Sequence, residues 1–384
     1  MRVGTGISKL TITQVRSKDD LAEFIRLPHR LYQRDPNWVA PLRSDLRMRL
    51  DPCRNPFFDH ALARYFLARR GDRVIGRISA HVDERYNRFH TLGGEPDTTG
   101  FWGFFECEDD ADAALGLFDV AGAWLANSRM RSMVGPASFT LNDEAGLLVD
   151  GFDSPPMWQM TDNPPYYEHL VEKGAFDKVQ DLWAYRLDTS VEAPADMVAF
   201  GRTAMDRFTF RTIRMRDFGA EIDRFLRVYN QAWERNWGFC PMTEAEIRLH
   251  AKDLKPIIDP ALVIVAEEGD ETVAVGLTVP NVNEAIIRMR GRYGPVGTGR
   301  LLLKAKRRRW DACRVFALGV RPEYRDSGVG AHLYVETLAA AKRGGYRWGE
   351  MSWILESNDA MNRAIRHMGG TVYKTYRMYG RPLA

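Results

Sequence analysis

Between the apolar run VFALGV and the segment AHLYVETLAAAKRGG lies Arg325-Asp326-Ser327-Gly328-Val329-Gly330, with Ala331 opening the segment that follows. Residues of these types, between an expected strand and an expected helix, make an anion cradle. Glycine lets a backbone approach a ligand closely. The amides at a helix start converge on one point, where the helix dipole favours negative charge. Arg325 adds a guanidinium suited to charge-assisted hydrogen bonds with phosphate oxygens. Spacing narrows the anion. No GxxxxGK followed by Ser or Thr occurs, so this is not a Walker loop. A dinucleotide fingerprint needs GxGxxG, and here Leu333 stands where the third glycine should be.

Other chemistries find less support. Cys53, Cys107, Cys240 and Cys313 form no CxxC pair and have no histidine cluster beside them. Neither a zinc site nor a disulfide framework is expected, and no metal. The composition, 45% hydrophobic and 27% charged over 384 residues, is that of a soluble globular protein. No apolar run reaches the roughly 18 residues of a membrane span, and the N-terminus lacks a signal pattern. The reading is a cytoplasmic protein, with peripheral contact at the inner membrane face left open. Charge is uneven: residues 1–190 carry 23 Lys and Arg against 28 Asp and Glu, whereas residues 191–384 carry 31 against 23. The loop lies in the basic half, which suits an anionic ligand.

The elements that must position the loop recur along the chain. In the second half the strands FTFRTIR, ALVIVAEE, TVAVGLTVP, RVFALGV, WGEMSWI and TVYKTYRMY alternate with helices near 217–236, 243–255, 330–343 and 358–368. Ala331, Val335, Leu338 and Ala341 share one helical face, and Gly344-Gly345 ends that helix. The first half runs in the same order, with a hairpin turning at Gly71-Asp72. RDPNW and WERNW recur 199 residues apart, NPPYYEHLVEKG and NDAMNRAIRHMG 195 apart, and AYRL and TYRM 191 apart. The reading is a duplication with a boundary near 188–196. It predicts an α/β (α+β) chain of two tandem domains, 1–190 and 191–384, each a mostly antiparallel mixed sheet flanked by helices.

Arg325, Gly328 and Gly330 fit the Arg/Gln-x-x-Gly-x-Gly/Ala loop of the GNAT acyltransferases, and Val320 and Pro322 fit its Val-x-Pro-x-x-Arg lead-in. The chain therefore resembles that superfamily. The resemblance implies a coenzyme A thioester, acyl-CoA or acetyl-CoA, as co-substrate and transfer of the acyl group to an amine. It implies that the strand ending Leu318-Gly319-Val320 parts from WGEMSWI, and that an amide there holds the oxyanion. Asn358 begins the next motif. Relatives place a tyrosine acid seven residues after that Asn, where this chain has Ile365, and Gly369-Gly370 replaces the usual Gly-Phe. Tyr373, Tyr376, His367 and Glu356 are the nearby candidates for proton work, with Glu356 read as base and Tyr376 as acid. In the first half the matching stretch FFECEDDADAALG is acidic. That half is read as a degenerate domain without a cofactor loop, shaping the acceptor site. Asn142 and Glu144 are its candidate substrate contacts, in an insertion of roughly 20 residues, 140–159.

The stretch 286–310 holds nine Lys and Arg and no acid, mixed with apolar residues. That pattern suits anionic headgroups more than nucleic acid. NDEAGLLVDGFDSPP, NPPYY, MSWILESNDAMNRAI and VYKTYRMYGRPL are similar to the YghO-like, bacterial ceramide synthase-like branch of GNAT proteins. That branch implies a long-chain acyl-CoA and a sphingoid-type amine. A small-molecule N-acetyltransferase and a non-catalytic CoA-binding module are the alternatives.

Overall fold

The computed structural model describes residues 9–91, 93–289 and 310–384. The basic stretch 286–310 lies largely outside them. The chain forms two compact units, one of residues 1–152, 160–181 and 377–384, the other of 153–159 and 182–376.

The first unit runs β1 (Leu10–Gln14), α1 (Lys18–Leu31), α2 (Arg43–Arg49), β2 (Ala61–Arg70), β3 (Arg73–Asp83), α3 (Glu84–Phe89), β4 (Thr99–Cys107), α4 (Ala111–Asn127) and β5 (Ser132–Gly135). After these come β6 (Ala137–Ser138), β7 (Glu144–Ala145), β8 (Leu147–Asp150), α5 (Tyr166–Lys173) and the start of β9 (Asp177–Asp188). Strands β1 to β4 pair antiparallel in order, and β4 pairs β5 in parallel. Sequence dictates the punctuation. Ser17 and Asp20 cap α1 reciprocally, and Gly71, at φ 59°, supplies the left-handed turn of the β2–β3 hairpin. The buried face of α4, with Leu117, Phe118 and Leu125, packs with Trp102 and Phe105 of β4. Each such side chain contributes roughly 1.5–3 kcal/mol by leaving water.

The second unit follows the same plan. The rest of β9 leads through α6 (Ala195–Thr203) to β10 (Thr209–Thr212), α7 (Phe218–Ala232), α8 (Glu244–Leu254), β11 (Val263–Glu268), β12 (Glu271–Pro280) and α9 (Asn283–Ile286). Then come β13 (Ala312–Val320), α10 (Val329–Arg343), β14 (Trp348–Leu355), α11 (Asp359–His367) and β15 (Thr371–Pro382). Strands β10 to β13 are antiparallel neighbours, β13 and β14 are parallel, and β14 pairs antiparallel with β9. Gly269 turns the β11–β12 hairpin at φ 59°, the counterpart of Gly71.

The α/β class and the mostly antiparallel mixed sheet with flanking helices are as the sequence predicts. The boundary falls elsewhere. It cuts β9 between Asp181 and Leu182 rather than 188–196, the C-terminal residues 377–384 belong to the first unit, and 153–159 belong to the second. The polar stretch near 188–196 marks the entry to α6. Strands β9 and β15 each have residues in both units, and a continuous strand carries no compositional mark of such a division.

Candidate functional site

The cradle forms where β13 ends. Pro322–Tyr324 make a single 3-10 turn, and Gly328 takes the N-cap of α10 in the left-handed region at φ 80°. Only glycine suits the place. A Cβ there would lie 2.5 Å from the carbonyl oxygen of Phe200 and 2.9 Å from Thr203 Oγ1. No side chain caps α10, so its first-turn amides, which like those of any helix have no intrahelical partner, have no capping side chain either and can face solvent or an anion. The Arg325 guanidinium donates to Ala232 O at 2.9 Å, at the end of α7. Ser327 Oγ donates to Tyr324 O at 2.6 Å. Asp326 is exposed, and Gly330 and Ala331 are half-buried.

Upstream, two strands fork. β13 pairs with β14 from Ala312–Trp348 to Val315–Met351. Beyond that, β13 follows β12 out to Val320–Ala274, while β14 follows β9 to Leu355–Leu182. Phe316 is the bulged residue, since Val315 faces Thr278 and Ala317 faces Leu277. The amide of Arg321 donates to Val273 O at 3.0 Å. Antiparallel alternation then turns Gly319 toward β12 and leaves the amides of Leu318 and Val320 directed to the side that β14 has left. Gly319 packs on α7's C-cap, Trp233: a Cβ on it would sit 2.2 Å from Trp233 Cζ3.

A polar cluster is buried at the root of the fork. Arg314 and Glu350 are register partners on the last paired rungs, and both side chains are buried. Arg314 Nε donates to Ser352 Oγ at 2.8 Å and Nη1 to Trp158 O at 2.7 Å. Ser352 Oγ and the Tyr373 hydroxyl both donate to the Glu350 carboxylate. Lys374 Nζ donates to Ser154 O at 2.6 Å. Burial raises the Glu350 pKa, against the pull of Arg314, and burial followed by the Glu350 charge raises that of Tyr373. Sequence reasoning gave Arg314, Ser352 and Glu350 no catalytic role. The available signal was a charged residue inside each of two apolar strands, CRVFALGV and WGEMSWI.

The other sequence candidates scatter. Glu356 follows the end of β14 and is half-buried. The shift in register between Met351 and Ile354 interrupts side-chain alternation between Glu350 and Glu356. Tyr376 is fully buried in β15. Asn358 caps α11, accepting from the Met361 amide at 3.2 Å. Ile365 is buried, and a Cβ on Gly370 would lie 2.6 Å from its Cγ2. The position read as a missing tyrosine is thus a packing position, and Gly370 makes room for it. Asn142 and Glu144 lie in the first unit. The Asn142 amide donates to Thr140 Oγ1 at 3.0 Å, and Glu144 Oε2 accepts from Arg49 Nη1 at 3.3 Å.

The first unit has its own answer at the places that match the cradle and the fork. The N-cap of α4 is Asp110, which accepts from the Ala113 amide at 3.1 Å and from Arg70 Nε at 2.6 Å. Arg70's hydrogen bond holds the Asp110 carboxyl below its ordinary pKa. An internal carboxylate therefore fills the anion position. β4 and β5 pair only from Thr99–Ser132 to Phe101–Val134, and β6 then lies against β4, so close that a Cβ on Gly103 would meet Ala137 O at 1.8 Å. Phe139 stacks on Phe57 at 4.7 Å and meets Phe104 at 4.9 Å. Among the described residues no three metal-ligating side chains converge, and no helix is long and apolar enough to cross a membrane.

No family model matches the chain. It is 38% identical over 379 residues to the Bacterial ceramide synthase of Caulobacter vibrioides, covering 97% of this chain and 98% of that one. It is 34% identical over 374 residues to Protein YghO of Escherichia coli, covering 94% and 93%. Among solved structures, a tandem GNAT protein from the clavulanic acid biosynthesis pathway superposes with a TM-score of 0.56 at 11% identity, covering 98% of this chain and 99% of that one. A GCN5-related N-acetyltransferase from Sphaerobacter thermophilus gives 0.52 at 14% identity, covering 97% and 96%.

Proposed function

The chain belongs to the bacterial ceramide synthase and YghO branch of the GNAT acyltransferases, and on that premise we propose that it moves a long-chain acyl group from coenzyme A to a sphingoid-type amine. The observation that carries the reading is the conjunction of near end-to-end similarity to a ceramide synthase with an uncapped helix start behind Arg325 and Gly328. An uncapped, glycine-opened helix start fits a pyrophosphate, because it offers amides and dipole with no side chain in the way.

In this reading Arg325 to Ala331 hold the pyrophosphate of the acyl-CoA. Leu318 to Val320 flank its pantetheine arm, and the Leu318 and Val320 amides bind the thioester oxygen as negative charge develops on it. Holding amine and thioester together in the fork supplies much of the acceleration. The C–N bond forms, the C–S bond breaks, and the amine must lose a proton. From the sequence, Glu356 is the candidate base for that proton and Tyr376 the candidate acid for the thiolate, with Asn358 ordering the turn between β14 and α11. Asn142 and Glu144 remain candidate contacts of the acceptor. The basic stretch 286–310 is the segment we assign to anionic headgroups, which would bring the enzyme to a lipid acceptor from the cytoplasmic side. No role is assigned to nucleic acid.

The test is release of free CoA from acetyl-, octanoyl- and palmitoyl-CoA, with a panel of amines that includes a sphingoid base. Release from palmitoyl-CoA with the sphingoid base is expected. Release from acetyl-CoA alone, with a small amine, would replace the lipid reading by a small-molecule N-acetyltransferase. CoA binding without release from any donor would leave a binding module. Gly328→Glu should abolish CoA binding, and unchanged affinity would refute the placement of the pyrophosphate.

A further inference from the structure

We propose that Phe200 and Arg363 hold the nucleotide end of the acyl-CoA, Phe200 stacking on the adenine ring and Arg363 pairing with the phosphate on the ribose 3′ oxygen; this rests on the coenzyme A reading of the cradle above.

The course of α6 through the second unit fixes the place of Phe200. Met197, Gly201 and Ala204 form the inward stripe of the helix and the turn after it. Met197 packs against Leu187, Leu338 and Met368, and Ala204 is fully buried. A Cβ on Gly201 would lie 2.8 Å from the His332 amide nitrogen of α10. One flank of α6 carries Asp196, Phe200 and Thr203, at i, i+4 and i+7. Both ends of that flank have neighbours. Asp196 lies 2.9 Å from His367 Nε2 of α11. Thr203 Oγ1 and the Phe200 carbonyl oxygen crowd the Cβ position of Gly328, at 2.9 and 2.5 Å. Phe200 thus stands on the flank that runs from α11 to the cradle, and it is 47% exposed.

Topology brings Arg363 to the same level. β13 and β14 are parallel, so α10 and α11, which follow them, start at one end of the sheet. α6 runs toward that end, since Thr203 reaches Gly328, and α11 runs away from it. Counted from the Asp196–His367 contact, Phe200 is one turn on along α6 and Arg363 one turn back along α11. Each is about 6 Å nearer the cradle end. Arg363 is exposed. Its basic neighbours on α11 are engaged: His367 by Asp196, and Arg366 over the Trp183 and Tyr185 rings at 5.2 and 5.8 Å.

The ligand supplies matching groups. The pantetheine end of CoA enters the fork, so the adenosine end is the part left at the surface. Adenine presents a π face on which an aromatic side chain stacks. The phosphate on the 3′ oxygen suits a guanidinium, which can donate to two of its oxygens at once. A lone exposed phenylalanine is ordinary on a protein surface. One that stands between an anion cradle and an exposed arginine offers both contacts that this nucleotide requires.

Calorimetric titration of the full chain with CoA, dephospho-CoA and 4′-phosphopantetheine tests the assignment, on the wild type, Phe200→Ala, Phe200→Trp, Arg363→Ala and Arg202→Ala. Phe200→Ala should weaken CoA and dephospho-CoA alike, by about 5- to 100-fold, and leave 4′-phosphopantetheine unchanged. Phe200→Trp should keep the wild-type affinities. Arg363→Ala should weaken CoA by roughly 3- to 10-fold at low salt, less as salt rises, and leave dephospho-CoA unchanged. Arg202, exposed on the opposite side of α6 from Phe200, is the control, and its variant should bind as the wild type does. Equal losses of 4′-phosphopantetheine and CoA in Phe200→Ala would overturn the adenine contact. Equal losses of CoA and dephospho-CoA in Arg363→Ala would overturn the phosphate contact. Wild-type affinity in both alanine variants would overturn the whole inference and leave the cradle standing, whereas a wild type that binds no CoA would overturn the cradle reading with it.

Discussion

Gly328 and Phe200 are in steric register: the carbonyl oxygen of Phe200 lies 2.5 Å from where a Gly328 Cβ would be. That oxygen is backbone and cannot turn away, and φ at Gly328 is 80°. Gly328→Ala therefore meets a clash and a strained conformation together, at a cost of about 1–3 kcal/mol. Denaturant unfolding should show that loss, and CoA titration a large drop in affinity. Gly330→Ala is the contrast, since its Cβ would lie 3.6 Å from Val320 Cγ2, an ordinary contact. It should fold normally and still bind CoA more weakly, because the methyl group crowds the ligand.

Gly319→Ala should cost roughly 1–3 kcal/mol by overpacking, because its Cβ would overlap the Trp233 ring. Adding Trp233→Ala should restore part of the loss. A double-mutant cycle on unfolding free energies checks it, and strict additivity would mean that the two side chains do not meet.

Asp110→Ala removes the cap of α4 and the partner of Arg70, and should destabilise the first unit by about 1–2 kcal/mol. The folded pKa of Asp110 is depressed, so its contribution is present above the ordinary carboxylate pKa and disappears as pH falls through the folded value. The variant should therefore lose less stability than the wild type on acidification. Its CoA affinity should be unchanged.

His81 is buried on β3 with Nε2 hydrogen-bonded to Phe139 O at 2.6 Å, and burial lowers its pKa to about 4. The unfolded chain takes up a proton near pH 6.5, before the folded one does. Stability linked to His81 is complete above that pH and falls by roughly 3 kcal/mol as pH drops to about 4. Urea midpoints at pH 7, 5.5 and 4.5 measure this slope. His81→Gln should flatten it, and an unchanged slope would show that the protonation of His81 is not its source. His29, lowered in the same direction, would then account for part of the remainder.

Legibility in the sequence followed the range of the interaction. Arg325, Gly328 and Gly330 announce themselves because a loop obeys local rules: a left-handed residue, a helix start, a charge. The hairpin at Gly71 and the tandem order of elements are readable for the same reason. The buried cluster was not, because Arg314, Glu350, Ser352 and Tyr373 meet only through the pairing of β13 with β14 and the return of β15. Parity along one strand could not reveal the register shift after Met351. Nor could motif matching show that Ile365 and Gly370 trade volume with each other.

Asp110 on α4 and its absence on α10 give the two units different debts to solution. The first carries its anion in its own sequence and is complete on folding. In the reading proposed above the second takes its anion from solution, so its stability should rise with the concentration of free CoA, by about 2.7 kcal/mol at a hundredfold excess over Kd. Hydrogen exchange should then register supply: amides at the start of α10 should slow as CoA is added, while those of α4 keep their rate.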